Sequence, residues 1–159
     1  MELETIIKHR RNIKPQFFTS DMIPDQEIKE ILESANWAPT HGFTEPWRFI
    51  VFSGSSRQDF ATFQSDTYRS KATPESFQKI KYDKLLSTPL LASHIIAVVA
   101  KNTEHSKIPF LEEIVAVSCS VQNILLSAAE KNIAVHWTTG GVTYSDEMKV
   151  YLGFKKKDT

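Results

Sequence analysis

The 159-residue chain carries 19 basic and 19 acidic side chains, so its formal net charge is zero, and 41% of its residues are apolar. The length fits one domain, and the apolar content is enough for a packed core, which argues against a disordered chain. The balanced charge argues against a general nucleic-acid binder or membrane-surface binder, although it leaves room for a local basic pocket.

Few of the usual site signatures occur in this sequence. Cys119 is the one cysteine, so an intrachain disulfide is excluded, and its apolar helical surroundings favour a core residue over a nucleophile. The histidines, at positions 9, 41, 94, 105 and 136, lack the spacing of a metal site, so no metal is expected. The acidic start is unlike a signal peptide, and no stretch approaches the roughly 20 apolar residues of a membrane span. We therefore expect a soluble cytoplasmic protein.

Hydrophobic periodicity and turn residues predict helices and strands along the whole chain. The predicted elements are helix 3–10, an irregular segment 12–20, helix 24–38, strand 47–52, helix 55–66, a helix or ordered loop within 71–87, strand 95–100, helix 109–130, strand 134–138 and helix 146–152. The second helix should stop before Pro39, which disfavours helical geometry in the preceding residue. Strand 95–100 is nearly all apolar, which predicts burial on both faces. Ser145 is expected to cap the last helix and Gly153 to end it.

The longest periodic stretch, residues 109–130, has apolar side chains on more than one face. A helix of that kind is either central in the core or packed against another subunit. The sequence pattern alone leaves both arrangements open.

Arg10 and Arg11 stand at the end of the first predicted helix, directly before Asn12. Two adjacent guanidinium groups suit a phosphate, because arginine offers a planar fork of donors that matches phosphate oxygens. The alternative is a solvated basic helix end that stabilises the helix dipole and has no other role.

His41 lies on a Pro/Gly-rich loop between a helix and a strand, where binding groups often sit, although a lone histidine there is more often simply exposed. For Trp37, core or interface packing is favoured over contact with a cofactor, and Trp137 could stack on an aromatic ligand or fill the core. Thr138 and Thr139 open a Thr-Thr-Gly-Gly turn whose backbone N–H groups a ligand can approach closely. That turn matches neither a P-loop nor a dinucleotide fingerprint.

Taken in order, these segments resemble the nitroreductase family over nearly the whole chain. The matching pieces are Arg-Arg-Asn after a first helix, Ala-Pro-Thr-His at 38–41, Glu-Pro-Trp-Arg-Phe-Ile-Val-Phe at 45–52, the strand 94–100, the long helix, and Val-His-Trp-Thr-Thr-Gly-Gly at 135–141. The resemblance is strongest to the small, minimal members of that family. It implies an α+β fold, with a mainly antiparallel sheet flanked by helices around a long central helix. It also implies a homodimer with flavin mononucleotide (FMN) at the interface between the subunits.

The same resemblance implies which residues contact FMN. The implied contacts are Arg10, Arg11, Asn12, Trp37, His41, Trp137, Thr138 and Thr139. The first three match the segment that holds the phosphate and the ring edge. The two at 37 and 41 match positions that reach the flavin from the partner subunit, and Trp37 stands where close relatives can carry Arg. The last three match a turn whose backbone faces the flavin ring.

The activity implied is ping-pong hydride transfer from NAD(P)H through FMN to a nitroaromatic or quinone-like acceptor, with no catalytic side chain required. The alternatives are a flavin-binding protein without turnover and a specialised flavin reaction on the same fold. Residues 1–159 are expected to form a single domain. Members of the family usually continue beyond the last helix into another strand and an extension that crosses onto the partner, and we expect this sequence to lack both.

Overall fold

The computed structural model describes residues 2–19, 21–102 and 107–155. The helices and strands in these ranges are α1 (Leu3–His9), α2 (Asp25–Glu33), β1 (Trp47–Phe52), α3 (Ser56–Lys71), α4 (Lys79–Ser87), β2 (Ile95–Ala100), α5 (Phe110–Glu130) and α6 (Asp146–Tyr151). Short 3₁₀ turns cover Pro15–Phe17, Ser34–Trp37, His41–Phe43 and Thr88–Leu91. Helices therefore flank a small antiparallel sheet, which confirms the α+β class. The last residues of the sequence, 156–159, lie outside the described ranges.

The sheet pairs β1 with β2 in an antiparallel register that places Trp47 opposite Ala100 and Phe52 opposite Ile95. Both strands have the predicted bounds. Their aromatic and β-branched residues suit a pleated surface, which is why the sequence indicated them. The predicted burial of both faces of β2 is wrong, since Val98 is 38% exposed. A sheet of two strands is narrow and has an open edge beside each strand, so its side chains are only partly covered.

The predicted strand 134–138 is wrong as well. Its one strand-like contact among the described residues is a parallel bridge between Asn12 and Val135. The backbone N–H of Ile13 donates to the carbonyl of Val135 at 3.0 Å. At the next pairing position a side chain replaces the backbone partner. The Asn12 carboxamide hydrogen-bonds both the N–H and the carbonyl of Trp137. A carboxamide carries the same donor and acceptor as a peptide unit, so it ends the ladder after one step.

Helix α5 forms the centre of the core. It contacts α1, α2, both strands and the 3₁₀ turn that extends α2. Its buried face carries Glu113, Ala116, Val117, Ser120, Val121, Ile124, Leu125 and Ala128. Its other face is open, since Leu111, Ile114 and Val115 are exposed. By length and composition alone α5 could cross a membrane, but its packing is that of a core helix with one uncovered side.

Two apolar clusters fix the chain along α5. One joins Ile31 and Ala35 to Ile124 and Ala128, and the other joins Ala38 and Trp47 to Ala116 and Val117. The chain from the end of α2 to the start of β1 therefore runs antiparallel to α5.

The remaining helix boundaries follow their local signals. Ser145 caps α6 by accepting a hydrogen bond from the backbone N–H of Met148 at 3.2 Å, as predicted. Gly153 follows α6 with φ of 84°, a left-handed conformation that favours glycine at a helix end. The helix expected within residues 71–87 begins at Lys79.

Candidate functional site

The N-terminal segment and the turn after residue 136 meet through one side chain. Asn12 Oδ1 accepts the backbone N–H of Trp137 at 2.7 Å, and Asn12 Nδ2 donates to the carbonyl of Trp137 at 3.4 Å. These hydrogen bonds place Arg10 and Arg11 near a turn that lies more than a hundred positions away in the sequence. The Asn12 carboxamide is therefore occupied by the protein itself, and its first role is to assemble this part of the site.

The two arginines differ in what they bind. Arg11 Nη1 donates to the carbonyls of Lys8 and Arg10, at 2.7 Å and 2.9 Å, and so closes the end of α1. The Arg10 guanidinium has no hydrogen-bond or ion-pair partner among the described residues, and its side chain is half-buried. Arg10 is thus the member of the pair that is open to a ligand, while Arg11 also serves as a helix cap.

The turn at residues 137–141 exposes backbone and aromatic surface together. Trp137 is half-exposed, and Thr138, Thr139 and Gly140 are exposed. Gly141 has φ of 69°, and a Cβ at that position would lie 2.9 Å from Cδ2 of Leu85 in α4. The close approach of α4 therefore places that helix beside the turn.

A second group of predicted residues lies around His41. Its Nδ1 lies 2.7 Å from Oε2 of Glu112, in the first turn of α5. Trp37 precedes this loop and is 81% exposed. Glu112 was missed by the sequence reasoning, although a pair of acidic residues at the start of an apolar helix was a visible signal.

The loop that carries His41 is strained and firmly held. Gly42, Phe43 and Glu45 all have left-handed φ values, of 60°, 55° and 43°. Thr44 Oγ1 donates to Oε2 of Glu113 at 2.7 Å, and Glu113 is only 1% exposed. Non-glycine residues in this conformation cost about 1–3 kcal/mol each and persist where the surroundings hold them, often at functional sites. The loop presents Phe43 almost fully to solvent, at 91% exposure.

These two groups lie at different ends of α5 within one protomer. Glu112 belongs to its first turn, whereas Val135 packs beside Ile124 and Ala128. Those two residues come 12 and 16 positions after Glu112, which corresponds to about 18–24 Å along a helix. One protomer therefore brings Arg10, Arg11, Asn12 and Trp137–Thr139 together and keeps His41 apart from them. Trp37 ends the 3₁₀ turn between the two apolar clusters, so it lies between the two ends of α5.

The described residues, which leave out His105, include no group of three or more His, Cys, Asp or Glu side chains that could hold a metal. The site consists instead of guanidinium groups, exposed backbone and aromatic faces, a combination suited to an organic anion with a flat ring.

A family model for the nitroreductase family matches residues 7–158. The chain belongs to the nitroreductase family. A curated relative from Bacillus subtilis (strain 168), provisionally named NAD(P)H nitroreductase YfhC, is 28% identical over 156 residues, which cover 98% of this chain and 78% of that protein.

Solved structures of the family share the fold. The crystal structure of a nitroreductase-like family protein from Bacillus cereus matches with a TM-score of 0.81 at 24% identity, over 98% of this chain and 79% of that one. The FMN-dependent nitroreductase NfnB from Mycobacterium smegmatis, solved in complex with NADPH, matches with a TM-score of 0.74 at 20% identity, over 96% and 81% of the two chains. At these identities the likeness establishes the nitroreductase fold.

Proposed function

We propose that this protein is an FMN-dependent NAD(P)H oxidoreductase. The observation that carries the proposal is the Asn12–Trp137 pairing, which joins the segment that carries Arg10 to an exposed backbone turn. Family membership, the name of the Bacillus subtilis relative and the FMN dependence of NfnB support the same activity.

The residues present fit FMN. Arg10 offers a guanidinium without a partner in the described structure, and Arg11 keeps N–H groups beyond the one that caps α1. Guanidinium groups bind phosphate oxygens through two parallel hydrogen bonds. Thr138 and Thr139 expose the backbone of their turn, which suits the polar edge of a flat ring, and the half-exposed Trp137 adds apolar surface beside it.

FMN held by these residues would supply the chemistry of hydride transfer between NAD(P)H and an oxidised acceptor, in a ping-pong order. The protein's own part is to bind the cofactor, to orient its ring and to exclude water from one side of it. Backbone N–H groups at residues 138–141 would stabilise negative charge next to them, in the way that fixed dipoles stabilise developing charge. The exposed turn leaves proton delivery to solvent, so no side chain acts as a catalytic acid.

The second part of the proposal is a homodimer that completes the site. His41 lies far from Arg10 in one protomer, and Trp37 is 81% exposed. The first two turns of α5 leave Leu111 and Val115 exposed. A two-fold dimer that buries this face antiparallel to its own copy sets the His41 loop of one subunit toward the 137–141 turn of the other. Adjacent exposed apolar side chains on one helix face, here Leu111, Ile114 and Val115, are a feature of protein interfaces.

A spectroscopic experiment tests the activity. The purified full chain is incubated with FMN, desalted and examined by absorbance, then mixed anaerobically with NADPH or NADH. We expect a yellow protein that either nucleotide bleaches and that a nitroaromatic or a quinone recolours. A colourless protein would refute the proposal, and a yellow protein that neither nucleotide bleaches would make it a flavin-binding protein without turnover.

The dimer has its own test in Val115→Glu, with Ile80→Glu on α4 as the matched control. Both positions are exposed and aliphatic, so the change in chemistry is the same. Sedimentation should show a dimer for the wild type and for the control, and a monomer for Val115→Glu. A dimer unaffected by Val115→Glu would exclude α5 from the interface.

A further inference from the structure

An open cavity of about 280 Å³ lies where α3 ends and α4 begins. It is lined by Tyr68, Lys71, Ala72, Ser76, Gln78 and Lys81. Its lining therefore contains two ammonium groups and no carboxylate. None of these residues belongs to the site described above, and the sequence motifs do not mark them.

The walls of the cavity are well ordered by local hydrogen bonds. Tyr68 accepts the backbone N–H of Gln78 on its hydroxyl at 3.0 Å, which ties α3 to the start of α4. The backbone N–H of Thr73 donates to Oγ of Ser76 at 2.8 Å within the connection between the helices. The carboxylate of Glu75, in that same connection, accepts from its own backbone N–H and from Thr73, and these contacts lower its pKa. The Glu75 carboxylate is thus committed to the connection between the helices.

The two lysines are available to an anion in different degrees. Lys81 places its ammonium 4.7 Å from the centre of the Tyr68 ring and has no carboxylate partner among the described residues. Lys71 pairs with Glu147 at 2.7 Å, but both side chains are about half-exposed. An exposed ion pair of this kind contributes about 0–1 kcal/mol, so a doubly charged anion can compete for Lys71.

Two helices, α4 and α6, link the cavity indirectly to the 137–141 turn. Leu85 lies one helical turn after Lys81 on α4, and its Cδ2 occupies the space that a Cβ on Gly141 would need. Glu147, the partner of Lys71, stands in the first turn of α6, shortly after the same turn of the chain. A ligand whose reactive end sits at the 137–141 turn can therefore extend its other end along α4 toward Lys81.

We propose that this cavity binds the 2′-phosphate of NADPH, the phosphomonoester that NADH lacks. The inference rests on the proposed function, which brings a nicotinamide dinucleotide to the 137–141 turn. Lys81 supplies a positive charge that no carboxylate of the described residues neutralises. Lys71 leaves its ion pair with Glu147 and binds the phosphate instead. The ammonium group of lysine binds phosphate as a point charge, so no fixed fork geometry is needed. The protein consequently prefers NADPH over NADH.

The first test needs no turnover. The full chain, in its flavin-loaded form where it retains flavin, is titrated calorimetrically with adenosine 2′,5′-bisphosphate, with 5′-AMP and with inorganic phosphate. We expect the bisphosphate to bind about tenfold more tightly than 5′-AMP, as one charge-assisted contact allows. Lys81→Ala should remove that difference. Lys79→Ala is the matched control, because Lys79 lies on the same helix, loses the same charge and is already paired with Asp83.

The second test is the ratio of kcat/KM for NADPH to that for NADH. Lys81→Ala should lower the ratio about tenfold with the value for NADH unchanged, Lys79→Ala should leave it as in the wild type, and Glu147→Gln should raise it by freeing Lys71. Equal binding of the bisphosphate and 5′-AMP, or equal effects of the two lysine substitutions, would overturn the proposal. Inorganic phosphate bound as tightly as the bisphosphate would also overturn it, because the cavity would then be a general anion site. A chain that retains no flavin refutes the proposed function, while the titration still decides on the cavity.

Discussion

The two halves of the candidate site are built by opposite means. Around Arg10, a polar side chain joins two distant segments and leaves a guanidinium open, since Asn12 binds the backbone of Trp137 and nothing described binds Arg10. Around His41, a strained loop is fixed by two carboxylates of α5, one exposed and one buried. The first half leaves the Arg10 guanidinium free for a ligand. In the second half, the polar side chains of His41 and Thr44 hold the conformation of the loop.

This difference has a functional meaning. A region that must accept a ligand needs unpaired donors, whereas a region that must approach the partner subunit needs a fixed conformation before the partner arrives. Pre-organisation of that kind lowers the entropy lost on association. We therefore expect substitutions near Arg10 to change flavin binding, and substitutions near His41 to change the stability of the protein first.

The largest expected effect is on flavin affinity. Arg10→Ala removes the open guanidinium and should raise the dissociation constant of FMN roughly 100-fold, by about 3 kcal/mol, the upper range for a hydrogen bond to a charged group. Arg11→Ala is the control, because Arg11 already caps α1 through two carbonyls. Fluorescence titration with FMN measures both variants. A smaller loss for Arg10 than for Arg11 would reverse the roles assigned to the pair.

The next effect is on stability and comes from Glu113. Its side chain is buried, one oxygen accepts from Thr44 and the other has no hydrogen-bond partner among the described residues. Glu113→Ala should lower the free energy of unfolding by about 2–3 kcal/mol, because Thr44 loses its shortest hydrogen bond and a cavity opens in the core. Glu112→Ala, at an exposed carboxylate, should cost less than about 1 kcal/mol. Urea denaturation measures the free energy of unfolding of both variants. Equal losses for the two would contradict the anchoring role of Glu113.

Much of the fold could be read from the sequence because its signals are local. The bounds of β1 and β2 followed from their aromatic and β-branched residues, and Ser145 was recognisable as a helix cap. The pairing of Asn12 with Trp137 could not be predicted, since it joins positions 125 apart and uses a side chain where a strand was expected. The family resemblance nevertheless pointed to both residues as parts of one site.

The His41 loop was predicted as a loop, but its conformation and its anchoring to α5 were not, for a physical reason. Periodicity treats a glutamate as solvent-facing, yet one position along α5 separates the exposed Glu112 from the buried Glu113. Left-handed φ at Phe43 runs against the usual preference of a bulky residue, so no propensity could indicate it. The contact between the loop and α5 overrides both local preferences, the exposure expected of Glu113 and the right-handed or extended backbone expected of Phe43.

A moderate effect is expected at Asn12. Asn12→Ala removes both hydrogen bonds to Trp137 and should destabilise the fold by about 1–2 kcal/mol, while it also weakens flavin binding. Asn12→Asp keeps the acceptor for the 2.7 Å bond but sets a second carboxylate oxygen against the carbonyl of Trp137, so it should recover only part of the stability. Thermal unfolding and FMN titration measure the two properties. If Asp fails to improve on Ala, the short hydrogen bond is not what joins the two segments.

The smallest effect distinguishes strain from contact in the His41 loop. Gly42 and Gly54 have similar left-handed φ values of 60° and 54°, but a Cβ at Gly42 would lie 2.9 Å from Cδ1 of Ile108, whereas a Cβ at Gly54 meets nothing within 4 Å. Replacing either by alanine should cost about 1 kcal/mol for the conformation alone. The Gly42→Ala variant should lose up to about 1 kcal/mol more, since the flexible end of Ile108 must shift. Urea denaturation of the two variants gives that difference directly. Equal losses would mean that the loop is held by its hydrogen bonds to α5 and not by its packing against Ile108.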